Sequence, residues 1–392
     1  MSNKPEQTVS VIEKTSGSAD LYNHFENEKE EICGLIERLV EIESPTGDVK
    51  ASSLIADLIE KELSVLGNCR IERIAAEGYG EHLIARLKED AKRQILLIGH
   101  SDTVHPIGTK AKNPTRKENG KFYGCGIFDM KANIGMLIAA LKHIYQNETA
   151  DAPGVMLYLS CDEEAGSPTG RDIVERLAAE AKICLVFEPS LNGRAKTERK
   201  GTSFYTVRAE GLAAHAGLEP ERGANALAEL AMQVEKIHSL ASVEKGTTVN
   251  VCTFKSGTAA NVIPDRAELT VDVRFTQMAE ARRIDEEIRK LMPSNTKITL
   301  RIEGGINRPP LERTASENLY QKAKALASEL GFELEEARVG GASDGNFAAA
   351  VGAQVLDGLG IHGDGAHTLE EYIFIDDIPK RAALTAGLIL QC

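Results

Sequence analysis

Long apolar runs are missing from this sequence of 392 residues. A membrane-spanning helix needs a stretch of about 18 or more apolar residues, and none is present. The first twenty residues also lack the apolar run of a secretory signal. We therefore expect a chain that neither spans a membrane nor is exported, and we assign it to the cytoplasm.

Basic residues are outnumbered by acidic ones. Lysine and arginine together number 46 against 59 aspartates and glutamates, which gives a formal net charge of −13 at pH 7. The field of such a chain repels nucleic-acid phosphates and anionic lipid headgroups. The composition therefore argues against nucleic acid and membrane partners, and an anionic substrate would need a local positive site.

The cysteines form no recognisable framework. They are seven in number, scattered, and without a CxxC pair. That pattern predicts reduced thiols and excludes a disulfide scaffold or a cysteine zinc site. Cys125 and Cys161 lie inside motifs described below, where a nucleophilic thiol is one interpretation and a small apolar packing residue is the one we favour.

Short apolar runs alternate with helical patterns along most of the chain. Amphipathic helices are predicted over residues 28–42 and 54–63. Further helical patterns separate four buried-strand candidates, at residues 95–98, 155–159, 183–187 and 354–356. This alternation is typical of an α/β domain in which a mostly parallel mixed sheet is flanked by helices. Residues 1–22 are polar and without a sustained period, so we expect a disordered or frayed arm there.

Residues 203–309 follow a different order of elements. Their periodicity predicts the order βαββαβ, which is typical of a small α+β domain with ferredoxin-like topology. Within it, apolar and polar side chains alternate over residues 269–275, which predicts a strand with one buried face. We therefore expect an inserted domain at 203–309, and a main domain made of residues 23–202 and 310–392.

Histidines and carboxylates follow three of the predicted strands directly. His100 and Asp102 follow the first, Glu163 and Glu164 the second, and Glu188 the third. In open α/β sheets, ligands bind outside the carboxyl ends of the strands. Each residue alone is more often a satisfied polar group or a helix cap, but three strands that deliver such groups to one edge predict a shared site.

Two loops add further metal-type side chains. Asp129 lies in the glycine-rich segment 124–131, and His367 follows the last predicted strand. Several carboxylates at one sheet edge repel each other unless cations neutralise them. Two imidazoles and three carboxylates suit Zn²⁺ or a similar divalent ion. Five ligands can hold two ions if one carboxylate bridges them.

Taken together, these segments resemble a family of dizinc metallopeptidases. The family includes bacterial glutamate carboxypeptidase, acetylornithine deacetylase, succinyl-diaminopimelate desuccinylase and aminoacylase. The similar segments are GHSDTV at 99–104, GCGIFDMK at 124–131, DEEAGSPTGR at 162–171, EP at 188–189, AAHAGLEPERGANAL at 213–227 and NVIPD at 261–265. Their order and spacing look most like glutamate carboxypeptidase, while AHTLEEY at 366–372 looks more like the deacetylase branch.

The resemblance implies a ligand set and catalytic roles. His100, Asp129 and Glu188 would hold one ion, and Asp129, Glu164 and His367 the other, with Asp129 as the bridge. Glu163 would be the general base and acid, and Asp102 would orient the ring of His100. The resemblance also implies a cis peptide bond between Asp129 and Met130. The ions would be zinc, with cobalt or manganese as alternatives.

The inserted domain would then serve as a lid and dimerisation domain. The resemblance implies that His215 reaches the active site of a neighbouring subunit in a homodimer, and that Arg274 and Asn261 bind the substrate carboxylate. Arg308 and Lys196 are weaker candidates for that work and fit surface charges better. The expected substrate is a small peptide or an N-acyl amino acid.

Three functions remain open at this point. The leading one is hydrolysis of an amide bond next to a free carboxylate by a glutamate-carboxypeptidase-like enzyme. An N-acyl-amino-acid deacylase would use the same chemistry on a different leaving group. A catalytically silent binding protein is the third, because related folds can lose their metals.

Overall fold

The computed structural model describes residues 6–146 and 152–392, with side chains from residue 17 onward. The chain folds into two compact units. The large unit comprises the chain up to Glu198 together with Arg313–Arg338 and Ser343–Cys392. The small unit comprises Arg199–Glu312 and Val339–Ala342. The predicted insertion, residues 203–309, lies inside the small unit.

Ten α-helices occur in the described residues, and none of them is long and apolar enough to cross a membrane. In chain order they are α1 (Glu6–Asn27), α2 (Lys29–Glu41), α3 (Val49–Leu63), α4 (Ala132–Gln146), α5 (Arg171–Ala181), α6 (Ala226–His238), α7 (Met278–Arg289), α8 (Arg313–Glu329), α9 (Gly345–Ala350) and α10 (Ile378–Gln391).

The described strands range from two to ten residues. They are β1 (Cys69–Ala76), β2 (Gly80–Leu87), β3 (Gln94–His100), β4 (Arg116–Glu118), β5 (Lys121–Tyr123), β6 (Gly154–Ser160), β7 (Ile183–Val186), β8 (Ala195–Arg199), β9 (Gly201–Glu210), β10 (Ala214–His215), β11 (Thr248–Ser256), β12 (Val262–Ile263), β13 (Arg266–Phe275), β14 (Thr299–Arg308), β15 (Glu336–Val339), β16 (Gln354–Leu356), β17 (Gly363–Asp364) and β18 (Tyr372–Phe374).

The large unit is built on a six-stranded mixed sheet in the order β1-β2-β6-β3-β7-β16. Strands β6, β3, β7 and β16 run parallel to one another. Every residue of β6 is buried, as expected for a strand covered on both faces. The predicted α/β class with a mostly parallel mixed sheet is confirmed. The antiparallel hairpin β1–β2 at one edge was not predicted, because β1 leaves much of its length only partly buried and carries charged residues.

The small unit contains a four-stranded antiparallel sheet in the order β11-β13-β9-β14. With α6 and α7 between the strands, this is the ferredoxin-like order predicted from the sequence. The buried face of β13 is formed by Leu269, Val271, Val273 and Phe275, each at most 1% exposed. The alternation seen in the sequence therefore places one face of β13 in the core of the small unit.

The described part of the amino-terminal arm is helical, which corrects the expectation of a frayed segment at 1–22. Residues 1–5 lie outside the described residues, and α1 begins at Glu6. Leu21 and Tyr22 pack against the core of the large unit, and Phe25 is completely buried in it. Ser18 donates a hydrogen bond to Glu329 at 3.1 Å. These tertiary contacts stabilise a helix whose own sequence has little amphipathic pattern.

Candidate metal centre

The parallel register of the central strands brings the predicted ligands together. His100, the last residue of β3, lies opposite Ser160, the last residue of β6. The chain continues from β6 into a short 3-10 turn that begins at Glu163. On the other side of β3, Ile98 lies opposite Val186, and β7 ends two residues before Glu188. The three strand ends therefore deliver their side chains to one edge of the sheet, as the sequence predicts.

Asp129 lies between the two histidines. His100 Nε2 is 3.0 Å from Asp129 Oδ1 and 3.8 Å from Glu188 Oε1. His367 Nε2 is 3.4 Å from Asp129 Oδ2 and 3.3 Å from Glu164 Oε1. The two oxygens of one carboxylate thus face different imidazoles, and each imidazole has a second carboxylate beside it.

These separations fit a shared cation. Two ligand atoms that each lie about 2.1 Å from a zinc ion at the tetrahedral angle are about 3.4 Å apart. The four measured separations lie on both sides of that value. Glu164 Oε1 is buried and accepts no hydrogen bond from the part of the chain that the structure describes. A divalent cation would satisfy this oxygen.

The charges at the site are strongly coupled. Burial opposes the positive charge of His100, but Asp102 and Asp129 outweigh it and raise its pKa well above the usual range. The carboxylates of Asp129 and Glu164 beside its ring raise the pKa of His367 to about 10. Burial disfavours the charged form of Asp129, yet the two histidines hold its pKa far below the usual range. Protons and a metal ion would therefore compete for these imidazoles.

Asp102 contacts several residues of the site through its carboxylate and its backbone oxygen. The Nδ1 atom of His100 is 3.0 Å from the backbone oxygen of Asp102 and 3.4 Å from its Oδ1. The same carboxylate accepts the backbone N–H groups of Glu163 at 3.3 Å and Glu164 at 3.2 Å. Thr46 donates its hydroxyl to Asp102 Oδ2 at 2.7 Å. Asp102 therefore holds a predicted ligand and the two adjacent glutamates in one arrangement.

Glu163 faces the His100 side of the site. One donor atom from each of His100, Glu163 and Glu188 lies within 4.8 Å of the others. The same is true of a second group formed by His100, Asp129 and Glu164. The side chain of Glu163 is therefore next to the predicted ligands, which is where a general base for a water at the site would have to be.

The four remaining predicted site residues lie in the small unit. The short ladder of β10 and β12 pairs His215 with Val262, and Ala216 donates its N–H to the backbone oxygen of Asn261 at 2.9 Å. His215 and Asn261 are 46 positions apart in the sequence and are neighbours in the fold. His215 and Asn261 are both exposed. The ladder was not predicted, because its strands are only two residues long.

Arg274 projects from the polar face of β13, as predicted, but it is not a free charge. Its Nε and Nη2 atoms donate to the carboxylate of Asp272, with the closest contact at 2.7 Å. The guanidinium carbon also lies 5.7 Å from the ring centre of Phe204. The side chain of Arg274 remains 30% exposed, which leaves part of it open to a ligand.

Arg308 and Lys196 were expected to be surface charges, and both are at least half-buried in the structure. Arg308, at the end of β14, is only 7% exposed, so the interpretation as a solvated charge is wrong for it. Arg308 lies opposite Thr202 of β9 in the ladder between β14 and β9. Lys196 is half-buried in the large unit, and its backbone pairs with Asp357.

Three smaller observations complete the site. The peptide bond between Asp129 and Met130 is cis, as the resemblance implies. All seven cysteines are free. Burial raises the pKa of the Cys125 and Cys161 thiols, which favours the interpretation of both residues as packing groups.

One buried side chain near the site was not predicted from the sequence. Asn133 is the second residue of α4 and is fully buried. It donates to the backbone oxygen of Phe187 at 2.8 Å and accepts the N–H of Ile361 at 2.9 Å. It thereby connects the segment after Asp129 to the segment before Glu188. An isolated asparagine in an apolar helix could have suggested such a role, but not its partners.

Comparison with known proteins agrees with this geometry. Residues 96–391 match the peptidase family M20/M25/M40. Carboxypeptidase G2 from Pseudomonas sp. (strain RS-16) is 31% identical over 382 residues, which cover 95% of this chain and 91% of the relative. Succinyl-diaminopimelate desuccinylase from Cereibacter sphaeroides (strain KD131 / KCTC 12085) is 30% identical over 356 residues, covering 84% and 90%.

A solved structure supports the fold. Aminopeptidase PepT from Bacillus cereus ATCC 10987 superposes with a TM-score of 0.73 at 21% identity, and the match covers 93% of this chain and 98% of the other. Members of the matched family depend on divalent metals, and the donor set described above is a candidate site for them. The chain belongs to the peptidase family M20/M25/M40 and is a hydrolase of the metallopeptidase and amidohydrolase class.

Proposed function

We propose that this chain hydrolyses an amide bond next to a free carboxylate with two divalent metal ions, as a glutamate-carboxypeptidase-like enzyme. The observation that carries the proposal is the position of Asp129, whose two oxygens each face a different histidine. His100, Asp129 and Glu188 would hold one ion. Asp129, Glu164 and His367 would hold the other. Zinc fits this donor set, and cobalt or manganese would also fit it.

When bound, two such ions supply a water that is acidic near neutral pH and polarise the scissile carbonyl. The remaining steps belong to the chain. Glu163 takes the proton of the attacking water and later delivers it to the departing amine. Asp102 keeps the His100 ring in place and holds the backbone amide of Glu163. In this scheme the acyl group is never transferred to the protein.

The small unit would supply the contacts to the substrate. Arg274 can bind a carboxylate through two parallel hydrogen bonds, although Asp272 already occupies part of its fork. Asn261 and His215 lie side by side on exposed segments, and we propose that they contact the substrate and the oxyanion. Arg308 is a weaker candidate because it is buried.

We also propose a homodimer formed through the small unit. Strand β11 is an edge strand of its sheet and exposes most of its residues, including Phe254 at 40%. Exposed edges of this kind can pair with another chain. Sedimentation equilibrium should give twice the 42.4 kDa of the chain. A monomer at micromolar concentration would contradict the dimer but not the metal centre.

An N-acyl-amino-acid deacylase is the second candidate. The similarity to succinyl-diaminopimelate desuccinylase, at 30% identity, favours it. Both proposed enzymes would cleave an amide bond with the same donors. They would differ in the acyl group and in the amine that the bond joins. A silent binding protein fits less well, because the five donors and Glu163 lie together.

Metal titration and a substrate panel test the proposal. The metal-free protein should bind two equivalents of Zn²⁺, and Asp129→Ala should bind at most one of them tightly. Asp376→Ala is a matched control, because the Asp376 side chain is 85% exposed. Glutamyl amides should be hydrolysed faster than acetylated or succinylated amino acids. Faster turnover of an acylated amino acid would favour the deacylase, and no metal binding would contradict both candidates.

A further inference from the structure

A second buried glutamate lies directly behind the loop that carries Asp129. Glu371 precedes β18 and is 0% exposed. Its Oε1 atom accepts the backbone N–H groups of Phe128 and Asp129, each at 2.9 Å. Its Oε2 atom accepts the N–H of Gly126 at 2.9 Å and lies 2.8 Å from His105 Nε2. Four donors therefore surround one carboxylate and occupy its acceptor sites.

The loop needs such a partner because it is not a regular helix. Asp129 has φ −120° and ψ 87°, and Met130 has φ −136° and ψ 33°, both outside the helical region. Buried backbone N–H groups are unfavourable unless they find acceptors. The carboxylate of Glu371 takes the place of the carbonyl groups that a continuous helix would offer to Gly126, Phe128 and Asp129. It thus selects the backbone conformation from which the Asp129 side chain points to both histidines.

Glu371 also connects this loop to the other histidine. It lies four residues after His367 in the chain, and its backbone oxygen accepts the N–H of Gly124 at 3.3 Å. The turn that contains His367 is closed by Thr368, which donates its N–H and its hydroxyl to the oxygen of Gly365 at 3.0 and 2.7 Å. A shift of Glu371 would therefore disturb the segments that carry two of the proposed ligands.

We propose that Glu371, assisted by His105, is a positioning residue that places Asp129 as the bridging ligand. The inference rests on the proposed metal centre. Glu371 acts through backbone amides and touches neither the substrate nor a proposed ion. The groups that face its carboxylate are the three amides and the His105 ring, so removal of its charge leaves donors without an acceptor.

The test compares Glu371→Gln with Glu370→Gln. A glutamine keeps the size of the side chain, but its NH₂ group replaces one of the two acceptor oxygens, so either the N–H of Gly126 or the N–H groups of Phe128 and Asp129 lose their acceptor. In metal-free Glu371→Gln, the loop amides of residues 126–129 should exchange with deuterium faster than in the unsubstituted protein. Its Zn²⁺ affinity, measured by competition with a chelator, should fall by about ten- to a hundredfold.

Glu370→Gln is the matched control. Glu370 is the adjacent residue of the same type, and its side chain is 82% exposed. It should change neither the exchange of the loop amides nor the Zn²⁺ affinity. If Glu371→Gln does not fold, His105→Ala removes one of the four donors and should give the same two effects at a smaller size.

The outcomes separate the two proposals. If the unsubstituted protein binds no Zn²⁺, the proposed metal centre fails. If it binds two equivalents and Glu371→Gln keeps the same affinity and exchange, the positioning role alone is overturned. Faster exchange spread evenly over the large unit would also overturn it, because that result indicates a general loss of stability.

Discussion

Glu163 and Glu164 are adjacent residues of one type for which we propose different roles. Both backbone amides are held by Asp102, one by each carboxylate oxygen. The side chains then separate. Glu164 reaches to 3.3 Å from His367, while Glu163 lies beside His100 and Glu188. The proposed difference in role rests on the neighbours that each carboxylate has and not on any difference in its own chemistry.

Substitution of Glu163 should therefore affect turnover, and substitution of Glu164 should affect metal binding. Glu163→Gln should keep two metal ions and substrate binding but lower kcat by about two to four powers of ten, because proton transfer is lost. Glu164→Gln should weaken metal binding, because an amide is a poorer ligand than a carboxylate. Metal content and turnover of the two purified variants check this prediction. The assignment is wrong if Glu163→Gln loses its metal while Glu164→Gln retains it.

At the scale of elements, α4 is connected to two segments of the site by one side chain. Asn133→Ala would leave the N–H of Ile361 and the oxygen of Phe187 without their partner. Since each unpaired buried group costs about 1–3 kcal/mol, we expect the free energy of unfolding to fall by about 2–4 kcal/mol. Urea unfolding at neutral pH measures it.

The exposed Asn318 provides the comparison for Asn133. It donates to Gln354 at 3.0 Å on the surface of α8. Asn318→Ala should change the free energy of unfolding by no more than about 0.5 kcal/mol. Equal effects of the two substitutions would mean that burial of the Asn133 hydrogen bonds does not matter for stability.

The first turn of α7 contains a carboxylate whose contribution to the stability of the fold depends on pH. Glu280 accepts hydrogen bonds from Arg283 at 2.7 Å, Lys245 at 2.9 Å and Thr247 at 3.1 Å. Its bonds with Arg283 are the largest cause that lowers its pKa from 4.5 to about 2. A carboxylate with a lowered pKa stabilises the fold above the pKa of the unfolded chain. That contribution is lost as the pH falls from about 4.5 towards 2.

Glu280→Gln should reveal this contribution. At pH 7 the variant should be less stable by about 1–2 kcal/mol, a value reduced for the solvent exposure of Lys245 and Arg283. The difference from the unsubstituted protein should shrink when both are unfolded in urea at pH 3. A difference that stays constant between pH 7 and pH 3 would show that the charge of Glu280 does not act on stability.

At the scale of the whole molecule, the two units have separate hydrophobic cores. All five proposed metal ligands, namely His100, Asp129, Glu164, Glu188 and His367, belong to the large unit. A ligand that binds only the folded state stabilises the part that binds it. The metal should therefore stabilise one unit and leave the other unchanged.

Removal of the metal tests this expectation. At a free metal concentration of a hundred times the dissociation constant, binding adds about 2.7 kcal/mol per site. A chelator should lower the temperature at which the large unit unfolds, and added Zn²⁺ should restore it. Hydrogen exchange of peptides from the core of the small unit should not change. An equal loss of protection in both units would contradict the assignment of all ligands to one of them.

Local patterns were enough to predict the elements that carry the site. Apolar runs such as 95–98 predict buried strands. A residue such as His100 or Glu188 directly after a run predicts a metal ligand at the end of that strand. The alternation over residues 269–275 likewise predicted which face of β13 is buried. These features depend on the period of a strand and on the order of residues along it, and both are written in the chain itself.

Contacts between distant segments were decided by the tertiary structure. The sequence Glu370-Glu371 does not reveal that one carboxylate is exposed and the other is surrounded by four donors. Arg308 reads as a surface charge and is buried, while the polar arm continues into a helix that packs through Phe25. The sequence by itself determined the type of site and the strands that build it. Which polar atoms meet behind it depends on the distances that folding creates between segments far apart in the chain.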